Sequence, residues 1–341
     1  MEQNILQLHP GLVWGFAVTV FVMLLLDLGI FHKKSHVVTS KEALTWSLVW
    51  ISLAMVFSGV VLWVFSHDSG GSTVAIEKFT QFQTAYWIEK ALSVDNLFVF
   101  ILVFSYFKVP RELHHRVLFW GILGALVFRA IFIFAGVGLI NVTYLNPILE
   151  LLGAKPLAWN INLVLTIFGI FLVYAGVKSW GKGDEEEESD FSNSAGAKLV
   201  RRLYKVSDHY DGGKFFTVKN GIKVATPLLV VVAVIEFTDV LFAVDSIPAI
   251  FAISKDPFIL YTSNIFAILG LRSLYFLLSN FIHMFSKLPY GLSIILSFIG
   301  LKMIISPWVH ISSPVSLGVV VGILIISVVA SLMFPERKEA V

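Results

Sequence analysis

Five carboxylates stand where hydrocarbon side chains are expected. Glu89 and Asp95 share one apolar run, and Glu236, Asp239 and Asp245 share another. Both runs are long enough to cross a bilayer, where an ionised acid costs about 2.5–3.5 kcal/mol on insertion scales. Acids so placed mark ion or proton pathways by default. Asn96 and Ser246 add an amide and a hydroxyl oxygen directly after Asp95 and Asp245. Neither stretch offers sulfur or histidine. An all-oxygen set suits Mn²⁺, Mg²⁺ or Ca²⁺ better than Cu⁺, with Zn²⁺ disfavoured rather than excluded.

The same apolar segments carry four bases: Lys90, Arg129, Arg272 and Lys302. A purely structural ion-pair network is the competing reading, but such networks often add no stability over apolar packing. A mixed arrangement reconciles the two. Some bases neutralise the empty site and release it when a cation arrives, and Lys302 and Arg272 are the candidates for that role.

Composition sets the class that must position these groups. The chain has 341 residues, 57% hydrophobic and 14% charged, against roughly half apolar and a quarter charged in soluble domains. It is expected to be an all-α polytopic membrane protein. It has no cysteine, which excludes disulfides, thiolate metal sites and cysteine nucleophiles. No phosphate-binding loop, serine triad, HExxH or dinucleotide fingerprint occurs, so no enzyme activity, nucleotide or permanently bound cofactor is expected. The net charge of +2 gives no sign of a nucleic-acid partner. Glu2 replaces the basic start of a signal peptide, and no cleavage site follows the first apolar stretch.

Nine apolar segments of spanning length are expected at 11–31, 43–66, 81–106, 116–140, 158–180, 223–253, 262–284, 289–308 and 314–334. In lipid, backbone polar groups must be paired internally, so these are helices. Lys and Arg cluster in alternate loops: Lys33, Lys34 and Lys41; Lys108, Arg111 and Arg116; then Lys198, Arg201, Arg202 and Lys205. That bias puts the N-terminus outside and the C-terminus in the cytoplasm. Other polar groups read as structural. Asp27 caps a helix end, His32 and His36 belong to a basic loop, His114 and His115 to another, and His67 and Asp68 to a solvated turn.

Spans 3–5 resemble spans 6–8. The acidic stretches head each triplet. Gly121-Ile122-Leu123-Gly124 in span 4 corresponds to Ala267-Ile268-Leu269-Gly270 in span 7, and Ile167-Phe168-Gly169-Ile170 in span 5 to Phe298-Ile299-Gly300-Leu301 in span 8. An odd number of helices separates the triplets, so they face opposite ways. That is the inverted repeat of many transporters, which bind cargo at the midplane between repeats. The chain then divides into two peripheral spans (1–80), a first three-helix repeat (81–180), a charged cytoplasmic loop (181–222), a second repeat (223–308), and a ninth span with a cytoplasmic tail (309–341). The Asp184–Glu188 acid run is expected to be a solvated, disordered cluster.

This alignment pairs Glu89 with Asp239 and Asp95 with Asp245. If span 3 enters near Gln81, Glu89 is roughly 12 Å and Asp95 roughly 21 Å from the outer surface. Span 6, leaving near Ala252, puts Asp245 roughly 10 Å and Asp239 roughly 20 Å down. Glu89 should then face Asp245 and Asp95 should face Asp239, with Glu236 one turn nearer the cytoplasm. Pro248 lacks an N–H and so should unwind span 6 beside Asp245 and Ser246, freeing the Val244 carbonyl as a further ligand.

Several blocks resemble the TerC family, particularly its Alx-like branch. They are Glu89–Phe98, His115–Gly124, Glu236–Asp239 with Asp245–Ala252, Ser263–Phe276 and Phe298–Met303. The resemblance extends over roughly residues 12–335. It implies a bacterial inner-membrane protein of metal-ion homeostasis, with manganese export as the activity. It also implies a functional acid set of Glu89, Asp95, Glu236, Asp239 and Asp245. The expected function is export of a divalent cation, Mn²⁺ first, by alternating access. Proton coupling is physically natural, because acids buried side by side resist ionising together until a cation joins them. A membrane scaffold that helps load metal into, or assemble, other proteins is the alternative.

Asp239→Asn and Asp245→Asn are expected to abolish protection of cells against excess manganese. Growth in graded Mn²⁺ checks this, with immunoblots confirming normal protein levels.

Overall fold

A computed structural model of the chain describes residues 9–31, 39–68, 71–151, 155–159, 161–180, 191–219, 221–281 and 287–334, with side chains at all of these except 26–31, 95, 98, 244, 245, 280 and 281. Helices dominate: α1 (Pro10–Phe31), α2 (Ser40–Ser66), α3 (Gly71–Tyr106), α4 (Arg111–Val142), short α5 (Leu145–Leu151), α6 (Leu163–Ser179), α7 (Ala195–Leu203), α8 (Pro227–Phe251), α9 (Pro257–Leu269), α10 (Leu271–Phe281), α11 (Leu288–Ile305) and α12 (Ser313–Met333). Strands β1 (Phe216–Lys219) and β2 (Ile222–Ala225) form a small hairpin.

Helices start where side chains can hold the first free N–H groups. The Thr39 hydroxyl accepts from Glu42 N, and the Asn162 amide oxygen accepts from Leu165 N at 3.0 Å. Asp256 accepts from Phe258 N and Ile259 N, with Pro257 at the first helical position. A helix forms in each of the nine apolar segments. Among the described residues, six are long and apolar enough to cross a membrane: α2, α4, α8, the α9–α10 pair, α11 and α12. Shorter apolar stretches lie in α1 and α6. Helix α3 has the length but carries Glu77, Lys78, Glu89, Lys90 and Asp95.

Three apolar clusters weld the helices. Phe16, Phe57, Phe82 and Phe266 join α1, α2, α3 and α9. Ile133, Leu172, Ile250 and Ile299 join α4, α6, α8 and α11. Leu97, Leu118, Val231 and Leu278 join α3, α4, α8 and α10. Helix α6 packs closely on α11, where Gly169 meets Gly300. A Cβ on Gly169 would lie 2.8 Å from the Gly300 carbonyl oxygen, and one on Gly300 would lie 2.6 Å from the Gly169 oxygen.

Three expectations change. Helix α3 begins at Gly71, not near residue 81, so Glu89 falls at the midpoint of its 36 residues. Its early turns are held by protein rather than left as a loop: Lys78 pairs with Asp256 at 2.7 Å, and Ser254 donates to Gln81 at 2.8 Å. Helix α8 runs unbroken through Pro248. Only Ala249, Ile250 and Phe251 follow in that helix, so the missing N–H removes one bond in the last turn rather than unwinding the span. The interruption falls in the expected seventh span, where Gly270 separates α9 from α10 with φ −81° and ψ 0°.

The segment read as a charged loop is folded in its second half, because Val200, Val206 and Phe216 find apolar partners there. The Asp184–Glu188 run lies outside the described residues. Helix α7 packs on α8, and β1 pairs antiparallel with β2 from Phe216↔Ala225 to Lys219↔Ile222. Gly221 turns the hairpin at φ +74°, a conformation glycine adopts without a Cβ penalty. The Tyr210 hydroxyl donates to the Phe107 carbonyl at 2.8 Å, and burial pushes the phenol up to about 12, so it remains a donor at physiological pH.

Gly300→Ala is expected to destabilise the protein by about 1–3 kcal/mol, because the new methyl group overpacks the α6–α11 crossing. Gly138→Ala, where a Cβ meets nothing within 4 Å, should be neutral or stabilising through better helix propensity. Thermal unfolding in detergent compares the two.

Candidate cation-binding site

Glu89 on α3 is fully buried, and Arg129 on α4 is 1% exposed. Arg129 Nη1 donates to Glu89 Oε1 and, at 3.2 Å, to Asn264 Oδ1 on α9. Its Nη2 donates to Asp239 Oδ1 on α8 at 3.4 Å. Asn264 Nδ2 closes the ring by donating to Glu89 Oε2 at 3.0 Å. Four helices therefore meet at one guanidinium. Asp239 is the midpoint residue of α8, as Glu89 is of α3, so the two acids stand level at the centres of their helices.

This differs from the expected layering, in which Glu89 faced Asp245 and Asp95 faced Asp239. The depth count began at residue 81, about ten residues late on a helix that rises about 1.5 Å per residue. Corrected for that start, Glu89 moves inward to the level of Asp239, the residue with which the sequence alignment pairs it. The side chains of Asp95 and Asp245 lie outside the described residues. Both follow the central acids by six positions, in the C-terminal halves of α3 and α8.

The cluster carries more acid than base. One guanidinium serves Glu89 and Asp239, and Glu236 lies one turn before Asp239. Among the described residues, Asp239 Oδ2 and Glu236 Oε2 are buried without a hydrogen-bond partner. A Cβ on Gly124 of α4 would collide with the Glu236 carboxylate, so this glycine admits the acid against the helix. The Ser246 and Ser93 hydroxyls are also buried without a partner, and Asn96 is buried in α3. Buried carboxylate oxygens left unpaired are costly until a proton or a cation joins them. Among the described residues, no three of His, Cys, Asp and Glu form a ready metal cage. The position between Glu89 and Asp239 is taken by Arg129.

The bases separate by role. Arg129, not Lys302, neutralises the central acids. Lys302 Nζ donates to Ser316 of α12 at 2.8 Å, a contact across the α11–α12 packing. Lys90 Nζ donates to the Ala267 carbonyl at 3.2 Å, where α9 loses its helical partners beside Gly270. A cation there suits the negative end of a helix. Arg272, second residue of α10, is 2% exposed. Asn264 escaped the sequence reading, although a lone amide inside an apolar span is itself a polar-site signal. His114 is not in a loop: its ring stacks on Phe104, and its Nδ1 pairs with the Tyr275 hydroxyl at 3.0 Å. Asp68 pairs with His9 at 2.7 Å. His32, His36 and the Asp27 side chain lie outside the described residues.

A sequence profile of the integral membrane protein TerC family matches residues 74–339. A membrane protein of Myxococcus xanthus, "Uncharacterized membrane protein STKORF319", is 47% identical over 324 residues, covering 95% of this chain and 92% of that protein. The "Putative membrane-bound redox modulator Alx" of Escherichia coli (strain K12) is 44% identical over 330 residues, 96% of each chain. An "Uncharacterized membrane protein" of Rickettsia bellii is 37% identical over 326 residues, covering 96% of this chain and 97% of its own. No solved structure matches the chain.

Arg129→Met is expected to destabilise the protein by about 3–5 kcal/mol, since it leaves buried acids without their partner. Adding Glu89→Gln and Asp239→Asn should recover most of the loss. Thermal unfolding of the single and triple variants in detergent measures both.

Proposed function

Because the chain belongs to the TerC family of integral membrane proteins, we propose that it exports a divalent cation, Mn²⁺ first, across the bacterial inner membrane by alternating access. The observation that carries this reading is Arg129 held between Glu89 and Asp239 at the centres of two helices. A tethered cation occupies the place where a free one would bind.

The cycle follows from charge. A divalent cation entering between Glu89 and Asp239 gains both carboxylates and the Asn264 and Glu236 oxygens. Asp95, Asn96, Asp245 and Ser246 lie one to two turns further along the same helices and complete an all-oxygen path. The cation displaces the guanidinium by repulsion and by competition for the same oxygens. After release outside, Arg129 returns and neutralises the acids, so the empty carrier reorients without bare buried charge. Protons taken up by the remaining acids, Glu236 foremost, are the natural counter-substrate.

An inverted repeat of spans 3–5 and 6–8 fits this cycle. Its support is the reciprocal Gly169–Gly300 contact, α4 packed on α8 as α3 is on α9, and Glu89 level with Asp239. A pseudo-two-fold axis between the repeats would bring equivalent residues together in that way. Nine spans, with α1, α3 and α6 added to the six long apolar helices, set the N-terminus outside and the C-terminus in the cytoplasm by the Lys and Arg bias. The redox role in the Escherichia coli relative's name would not run here through the chain's own thiols, since it has no cysteine.

In proteoliposomes, the purified protein should move Mn²⁺, with flux that responds to a pH gradient and is lost in Asp239→Asn. Competing Mg²⁺, Ca²⁺ and Zn²⁺ rank the cargo. Flux no greater than in protein-free liposomes would favour the scaffold reading instead.

A further inference from the structure

Helix α7 is short, and its two faces differ sharply. Gly196, Leu199, Val200 and Leu203 recur at helical spacing along one side, Lys198, Arg201 and Arg202 gather on the other, and Lys205 follows just past the helix end. Part of the apolar side is buried against α8. Gly196 and Val200 are buried, and a Cβ on Gly196 would collide with the Ala233 carbonyl. The rest is bare: Leu199 is 51% and Leu203 64% exposed.

What α7 rests on says what covers the bare half. Ala233, Phe237 and Leu241 follow at four-residue steps on one face of α8. Phe237 and Leu241 are exposed apolar residues on a helix long and apolar enough to span the bilayer. That face is therefore turned to lipid, and α7 stands at its first turns. Its bare leucines are further exposed apolar residues on a helix packed against that span.

We infer that α7 is an interfacial helix that sets Leu199 and Leu203 among acyl chains and Lys198, Arg201, Arg202 and Lys205 among anionic phospholipid headgroups. An amphipathic helix with leucines on one side and Lys and Arg on the other lies in the plane of the interface. Basic residues next to a membrane span are drawn to an anionic leaflet. Because α7 also packs on α8, which carries Glu236 and Asp239, leaflet charge bears directly on the helix that holds the central acids.

The absence of cysteine makes the test direct. Leu203→Cys and Asp208→Cys each give a unique site for a nitroxide label in the full chain. Collisions with oxygen and with a water-soluble nickel chelate then report depth in vesicles. In phosphatidylglycerol-rich vesicles, the oxygen-to-chelate ratio should be severalfold higher at 203 than at 208. It should fall toward the water value in pure phosphatidylcholine, and in a Lys198→Gln, Arg201→Gln, Arg202→Gln background. Equal ratios at 203 and 208 in anionic vesicles would overturn the seating in lipid. Equal depth in neutral and anionic vesicles would overturn the headgroup contact. Protection of position 203 from both reagents would mean that protein, not lipid, covers it.

Discussion

One guanidinium organises the centre of this molecule. Arg129 from α4 is shared by Glu89 of α3 and Asp239 of α8, with Asn264 of α9 bridging back to Glu89. Ion pairs in lipid are poor glue compared with apolar packing, so stability alone does not account for such a group. Its composition does. Acids exceed base, and two carboxylate oxygens have no hydrogen-bond partner among the described residues. The cluster is satisfied enough to fold, and its unpartnered acid oxygens are what the proposed cation would take up.

The surrounding packing lets polar groups reach the interior. Gly124 makes room on α4 for the Glu236 carboxylate, and Gly270 makes room for the Lys90 ammonium, which a Cβ would approach to 2.7 Å. These two glycines end the related Gly121–Gly124 and Ala267–Gly270 stretches, yet one receives an acid and the other a base. A second glycine pair, Gly169 and Gly300, brings α6 and α11 together backbone to backbone. Small residues thus do two jobs here. Between α6 and α11 they allow close helix contact, as is common in membranes. Beside the acidic helices they admit charge.

Much of this was legible in the sequence. Apolar length announced the helices, and misplaced acids announced the central ion-paired cluster. The glycine correspondences named Gly169 and Gly300, which meet in the fold. Depth was misread, because hydropathy marks where apolar residues begin and not where a helix begins: the polar turn Glu77-Lys78 hid the first ten residues of α3. Pro248 was over-read, since a proline's cost depends on its distance from the helix end. Gly270 was under-read as a repeat marker when it also breaks its span. The role of Arg129 was not legible, because several bases sat in apolar spans and only packing decides which acids each can reach.

The most direct test is equilibrium Mn²⁺ binding to the purified protein, followed by loss of the free Mn²⁺ electron paramagnetic resonance signal, for the parent, Arg129→Gln and Asp239→Asn. If the guanidinium and the metal compete for the same carboxylates, Arg129→Gln binds Mn²⁺ more tightly than the parent and Asp239→Asn binds it more weakly. Equal affinity in all three folded proteins would contradict the account.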